Sequence, residues 1–213
     1  MPISTNSVIH YTDSLENIKG ILKDGFRVKY CAEKLIAKED NFAGAYAMVS
    51  FCDIPLSETK NHLDSYGSYG IGLSKKWAKE KGLNPVLYID KDSSLGLTLI
   101  EQAKRLIADK GQNNTVWKKD FVTVVSYTKN YDGNLIRGGV SIDNYKFYNE
   151  REWRFIPTAE QLNGTLGAIN QKAYFGDKDK HNANLKDIVL SFTPADISYI
   201  IVKKEEETID IIK

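Results

Sequence analysis

"YKFYNEREWRFIP" occupies residues 145–157, and the fold class turns on how it is read. Large apolar residues alternate with charged ones along it, the period-two pattern of a half-buried strand. Trp153 and Phe155 fall on one face and Glu152, Arg154 and Ile156 on the other. Downstream, "DIVLSF" and "SYIIVKK" extend the strand-like text. Upstream, beyond the Gly138-Gly139 turn, long helical patterns cover roughly 94–110 and 115–127. Helices early and strands late predict an α+β fold rather than an alternating parallel one.

Nearer the start, residues 7–11 read as a short strand. Asp13 and Glu16 have capping-box spacing, and Leu15, Ile18, Ile21 and Leu22 recur at helical spacing up to Gly25. "AMVSFCDIP" reads as a strand of five or six residues closed by Pro55, with Ser57 opening a helix to about Ser65. "YGSYGIGLS" is a strand interrupted by Gly67, Gly70 and Gly72, a pattern that suits close approach of another backbone or a ligand. Ser74 caps a helix ended by Gly82, and "PVLYI" reads as a buried strand. "EEETIDIIK" fits either a short helix or an edge strand. With no repeat and no low-complexity linker, one domain over 1–213 is expected.

Basic and acidic residues nearly balance, 29 against 28, so no long-range field gathers nucleic acid. The lysine clusters at 75–81 and 118–119 read as solvated helix faces. Cys31 and Cys52 make neither a metal site nor a disulfide framework and are expected as reduced thiols. "MPISTNS" lacks the basic-then-apolar pattern of a secretory signal, and no apolar run approaches the ~20 residues of a membrane span. A soluble cytoplasmic protein is the expectation.

Three features could carry chemistry. Glu150 and Glu152 sit two apart at a strand entrance, so both carboxylates are expected on one face. A buried carboxylate needs a partner or a task, and Arg151, Arg154 or a lysine could neutralise the pair. His10, with Tyr11 and Thr12, precedes a helix N-terminus, where backbone amides favour anions. The same triplet also fits a plain strand end. Tyr66 and Tyr69, flanking tight glycines, suit either a stacking platform or core filling. A metal-dependent hydrolase built on Glu150, Glu152 and His62 or His181 lacks ligand spacing, so no metal is expected.

"HYTDSLENIKGILKDGFRVKYCAE", "MVSFCDIPLS", "YGSYGIGLSKKWA", "NPVLY" and "EREWRFIP" resemble the AbiGi family of bacterial phage-defence proteins, over about residues 8–157. The opening block also resembles the start of DarT-type enzymes, which ADP-ribosylate nucleic acid. The order His, Tyr, E-x-E resembles that of ADP-ribosyltransferases. That layout implies a split, mostly antiparallel β core with surrounding helices, and an NAD-dependent mono-ADP-ribosyltransferase acting as toxin or effector. NAD would be the substrate, and the acceptor single-stranded nucleic acid or else protein. By this resemblance His10, Tyr11 and Thr12 hold the NAD ribose, Arg27 the diphosphate, and Tyr66 or Tyr69 stacks on nicotinamide. Ser50 is what "VSFCD" retains of the middle Ser-Thr-Ser-like strand. Glu152 binds the ribose 2′-hydroxyl and stabilises the developing oxocarbenium charge, while Glu150 orients or deprotonates the acceptor. AbiGi proteins have also been described as the antitoxin-like half of a two-gene system. That implies the alternative, a non-catalytic binding protein with a cognate toxin as partner; an enzyme would instead have a cognate antitoxin or chaperone.

Overall fold

The computed structural model describes residues 5–58, 67–109, 115–137 and 140–212. Its strands begin with β1 (Ser7–Thr12), β2 (Lys29–Ala37), β3 (Asp40–Cys52) and β4 (Tyr69–Ser74). The pair β5 (Leu87–Ile89) and β6 (Thr128–Asn130) follows. Then come β7 (Glu152–Phe155), β8 (Ala168–Asn170) and β9 (Ile197–Ile201). The main sheet runs β9-β4-β1-β3-β7 and ends on Asn84–Pro85. Among the described residues every strand pairing is antiparallel except β5 with β6. The fold is α+β, as expected, but for a different reason. The two longest strands, β2 and β3, lie near the start rather than late.

β3 splits the sheet. Its C-terminal part lies between β1 and β7, and its N-terminal part lies between β2 and β8. β1 meets β3 at the single pair Ile9–Cys52, so the sheet opens between β1 and β2. Both faces of β3 are covered. Ala45, Ala47, Val49 and Phe51 pack into the main core with Ile18, Phe26 and Trp77, while Tyr46 and Met48 pack against Val125. Burial on both faces erases the alternation that marks a half-buried strand, so only the end of β3 reads as one from sequence.

The helix α1 (Leu15–Asp24) is capped by Ser14, whose hydroxyl accepts from the Asn17 amide at 3.2 Å, not by Asp13 as the spacing suggests. Gly25 ends it at φ +84°, with Val189 and the Leu190 carbonyl where a Cβ would stand, so only glycine fits. Ser74 caps α2 (Lys75–Glu80) as expected. Two longer helices, α3 (Ser94–Ala108) and α4 (Thr115–Ser126), cover the second face of β3 and the end of β2.

The close approach of another backbone expected at the glycine strand is present, since a Cβ on Gly67 would collide with the Thr12 carbonyl oxygen, while at Gly72 the Tyr199 ring takes that place at 2.5 Å. "PVLYI" is half-exposed at Leu87 rather than buried. After Ser57 the described chain holds only a 3-10 turn, Leu56–Glu58, and the remainder of the expected helix lies outside the described residues. "DIVLSF" shrinks to Val189–Leu190, paired with Phe26–Arg27. The C-terminal segment is helical, at Thr208–Ile212.

Gly20 sits mid-way along α1, and a Cβ there would meet nothing within 4 Å. Gly20→Ala should therefore raise the unfolding free energy by about 0.5–1 kcal/mol, the helix-propensity difference, in urea denaturation. A loss instead would mean that the open space over Gly20 is not there.

Candidate functional site

A cleft of about 1000 Å³ opens where β1 and β2 part. The end of β1, the inner face of α1, β2, and residues following β6 form its walls, and Glu150 and Glu152 lie at its floor. Seven of the residues singled out from sequence line it: His10, Tyr11, Thr12, Arg27, Ser50, Glu150 and Glu152. Tyr69 does not. Its hydroxyl donates to Glu207 Oε1 at 2.9 Å, which commits the ring to holding the C-terminal segment. Tyr66 and His62 lie outside the described residues.

The floor is a buried ion-pair network. Arg154, fully buried, donates from Nε to Glu152 Oε1 (2.7 Å) and from Nη2 to Glu152 Oε2 (3.1 Å). Its Nη2 also reaches Glu33 Oε1 at 2.8 Å and its Nη1 the Ser126 carbonyl at 2.7 Å. Lys129, on β6, bridges Glu150 Oε2 (2.9 Å) and Glu152 Oε2 (3.0 Å). Both partners considered for the acidic pair, an arginine and a lysine, are therefore present. Burial alone would raise the Glu152 pKa, but Arg154 and Lys129 together hold its carboxyl well below the usual carboxylate range. Burial likewise opposes the Lys129 charge, and Glu152, Glu150 and Glu33 outweigh it, so the ammonium persists far into alkali.

Glu150 reaches this network by an unexpected route. It lies on a 3-10 turn, Phe147–Glu150, rather than on the strand. Arg151 then adopts a left-handed conformation at φ +45° before β7 begins. Alternation cannot set its direction across such a turn; Lys129 does so instead.

His10 and Glu152 approach the cleft from opposite faces of the sheet. Ile9 and Glu152 are both register partners of Cys52, and directly opposed residues share a face. His10, one residue on, packs with Phe51 and Phe26 on the other face, ring centroids 5.6 and 5.1 Å away. Its Nδ1 lies 2.8 Å from the Ser50 carbonyl oxygen. Where the β1–β3 ladder stops, this imidazole makes the next link between the strands. Thr12 Oγ1 accepts from Asn17 Nδ2 at 2.9 Å, and Arg27 pairs with Asp24 at 2.9 Å on the exposed rim. Tyr11 packs with Ile9, Cys52 and Ile54.

A family model described as "Putative abortive phage resistance protein AbiGi, antitoxin" matches residues 24–203. The chain belongs to the AbiGi family. An abortive phage resistance protein AbiGi of Lactococcus lactis subsp. cremoris is 27% identical over 192 residues, covering 78% of this chain and 76% of that protein. No solved structure matches.

In this AbiGi chain the charged floor leaves little capacity for new bonds. Glu152 already accepts three hydrogen bonds of the roughly four a carboxylate can take. Sequence reasoning missed Lys129, Glu33 and Tyr88, whose hydroxyl accepts from the Glu152 amide at 2.8 Å. Glu33 and Tyr88 end two of the blocks that resemble AbiGi but stand in no chemical pattern there, Lys129 lies in none of them, and the three come from strands distant in sequence. Among the described residues no group of three or more His, Cys, Asp and Glu is placed to hold a metal. His181 packs with Tyr30 and Tyr174, not with the glutamates. No described helix is long and apolar enough to cross a membrane.

Proposed function

We propose that the chain is the antitoxin-side binding protein of a two-component abortive phage-resistance system. It acts in the cytoplasm as one domain over 1–213 and holds a toxin partner through its cleft. The observation that carries this reading is the state of Glu152: buried, locked by Arg154 and Lys129, and set on the face opposite His10. A carboxylate so engaged suits a rigid binding floor better than a catalyst that must respond to charge developing in a transition state. The antitoxin description of the matching family model agrees with it. The test is co-expression with the product of the neighbouring gene. A growth defect caused by that product alone should be relieved by this chain, and the two should co-purify. Persistent toxicity with no complex overturns the reading.

A second reading has its own support, because seven residues picked for NAD chemistry line one cleft. On it the chain is an NAD-dependent mono-ADP-ribosyltransferase with a nucleic-acid or protein acceptor, His10 and Thr12 holding the ribose and Glu152 the 2′-hydroxyl. The two readings separate in one assay. Incubating labelled NAD with cell extract should give no more label in the RNA, DNA or protein fraction with wild type than with Glu152→Gln. Label that wild type transfers and Glu152→Gln does not would establish the enzyme.

A further inference from the structure

The outer edge of β2 is open where it enters the cleft. The Ala47 amide donates away from β2, to the Gly167 carbonyl at 2.8 Å, so Ala47 and Tyr30 form a non-hydrogen-bonded pair of the β2–β3 ladder. Even-numbered residues of β2 therefore turn their amides and carbonyls outward. Two asparagines close the ends of this edge. Asn182 Oδ1 accepts from the Tyr30 amide at 2.9 Å. Asn130 takes both groups of Ile36, accepting from its amide and donating to its carbonyl, each at 2.8 Å. Between these clamps lie Ala32 and Lys34, both at the cleft wall, and their outward amides and carbonyls have no hydrogen-bond partner among the described residues. The result is a short template of two donors and two acceptors, spaced for an antiparallel or parallel strand.

The surroundings specify what would dock there. Six carboxylates line the cleft against four basic side chains, and the buried Arg154 beneath Glu33 and Glu152 adds a fifth cation, so a small acidic excess remains at the cleft although the whole chain carries a net charge of +1. Glu33 lies on β2 between the two open residues. Its Oε1 accepts from Arg154, and its Oε2 has no hydrogen-bond partner among the described residues. On the other face Ala32 packs toward the main core, and Gly20 of α1 leaves open space at the same cleft.

We propose that this edge receives an extended segment of the toxin partner by strand addition, with a Lys or Arg of that segment beside Glu33 and an apolar residue on the opposite face. The proposal rests on the antitoxin reading and names how the cleft binds. Main-chain bonds to Ala32 and Lys34 supply the attachment, and the alternation of a strand delivers the cation to one face and the apolar side chain to the other.

Residue-resolved amide exchange on the free chain and on its complex with the neighbouring gene's product tests it. The amides of Tyr30 and Ile36 should be protected in both states, and those of Ala32 and Lys34 should slow by at least 10-fold only in the complex. Lys34→Pro deletes an outward amide and leaves the β2–β3 ladder intact, so it should weaken binding at least 10-fold more than Lys34→Ala, which keeps that amide. Should Lys34→Pro fail to fold, Gly20→Leu, which fills the space at the cleft, should weaken binding by a similar factor. A complex in which Ala32 and Lys34 still exchange at free-chain rates overturns strand addition and leaves the antitoxin reading standing. So does a protected partner segment that is helical or lacks a basic residue. Protection already present in the free chain, together with a dimer mass, assigns the edge to a second copy instead. If no complex forms, both readings fall.

Discussion

Arg154→Met is expected to remove about 3–5 kcal/mol of unfolding free energy, the cost of breaking a buried ion pair from one side. Arg154 spends four hydrogen bonds on Glu152, Glu33 and the Ser126 carbonyl. Without it Lys129 alone faces three carboxylates, two of which are almost wholly buried. Since natural domains are stable by only about 5–15 kcal/mol, much of the margin would go. Arg154→Lys keeps the charge but offers no planar fork to span the three acceptors, so it should fall between wild type and Met. Urea denaturation followed by tryptophan fluorescence would measure both. A loss below about 1 kcal/mol for Met would mean that water already reaches the network, contrary to the burial of Arg154.

That prediction could not have come from the motif that draws attention to the site. "EREWRF" correctly places Glu152 and Arg154 on one face of a strand, because period-two alternation is local physics. It says nothing of Lys129 or Glu33, which arrive from β6 and β2 through the topology of the sheet. Glu150 is a harder case. An arginine at positive φ has no sequence signature, so the turn at Arg151 that takes Glu150 off the strand is invisible in the text. The first strand, the capped helix after it and the Ser74-capped helix are legible because each is fixed by side chains within a few residues. The β2–β3 hairpin is not, since small residues such as Ala45 and Ala47, buried in a sheet covered on both sides, leave no periodic trace. His10 stands out in the sequence for its position at a strand-to-helix turn. What it does there, linking two strands where their ladder ends, depends on a carbonyl 40 residues away.

Acid should be the network's weak side. Glu152 has a folded pKa depressed by Arg154 and Lys129 against the opposing effect of burial, whereas in the unfolded chain a glutamate titrates near about 4.3. Above that value Glu152 is ionised in both states and its stabilisation is complete. Below it the unfolded chain takes up a proton that the folded chain refuses, so stability falls by about 1.4 kcal/mol per pH unit from this residue alone until the folded pKa is reached. Lys129, with its pKa raised, is intact throughout that range and weakens the fold only when the pH exceeds its unfolded value of about 10.4. Over the two units below pH 4.3 the expected loss from Glu152 is about 2 kcal/mol, since the unfolded glutamate is only half protonated at the start of that range. Urea denaturation at pH 7, 4.3, 3.3 and 2.3 measures it, and the comparison that isolates it is Glu152→Gln. The variant starts less stable at neutral pH, but its stability should fall less steeply in acid, by about 1.4 kcal/mol per unit. Equal slopes would mean that Glu152 takes up its proton alike in both states, and the ion-pair floor would then contribute nothing that acid can remove.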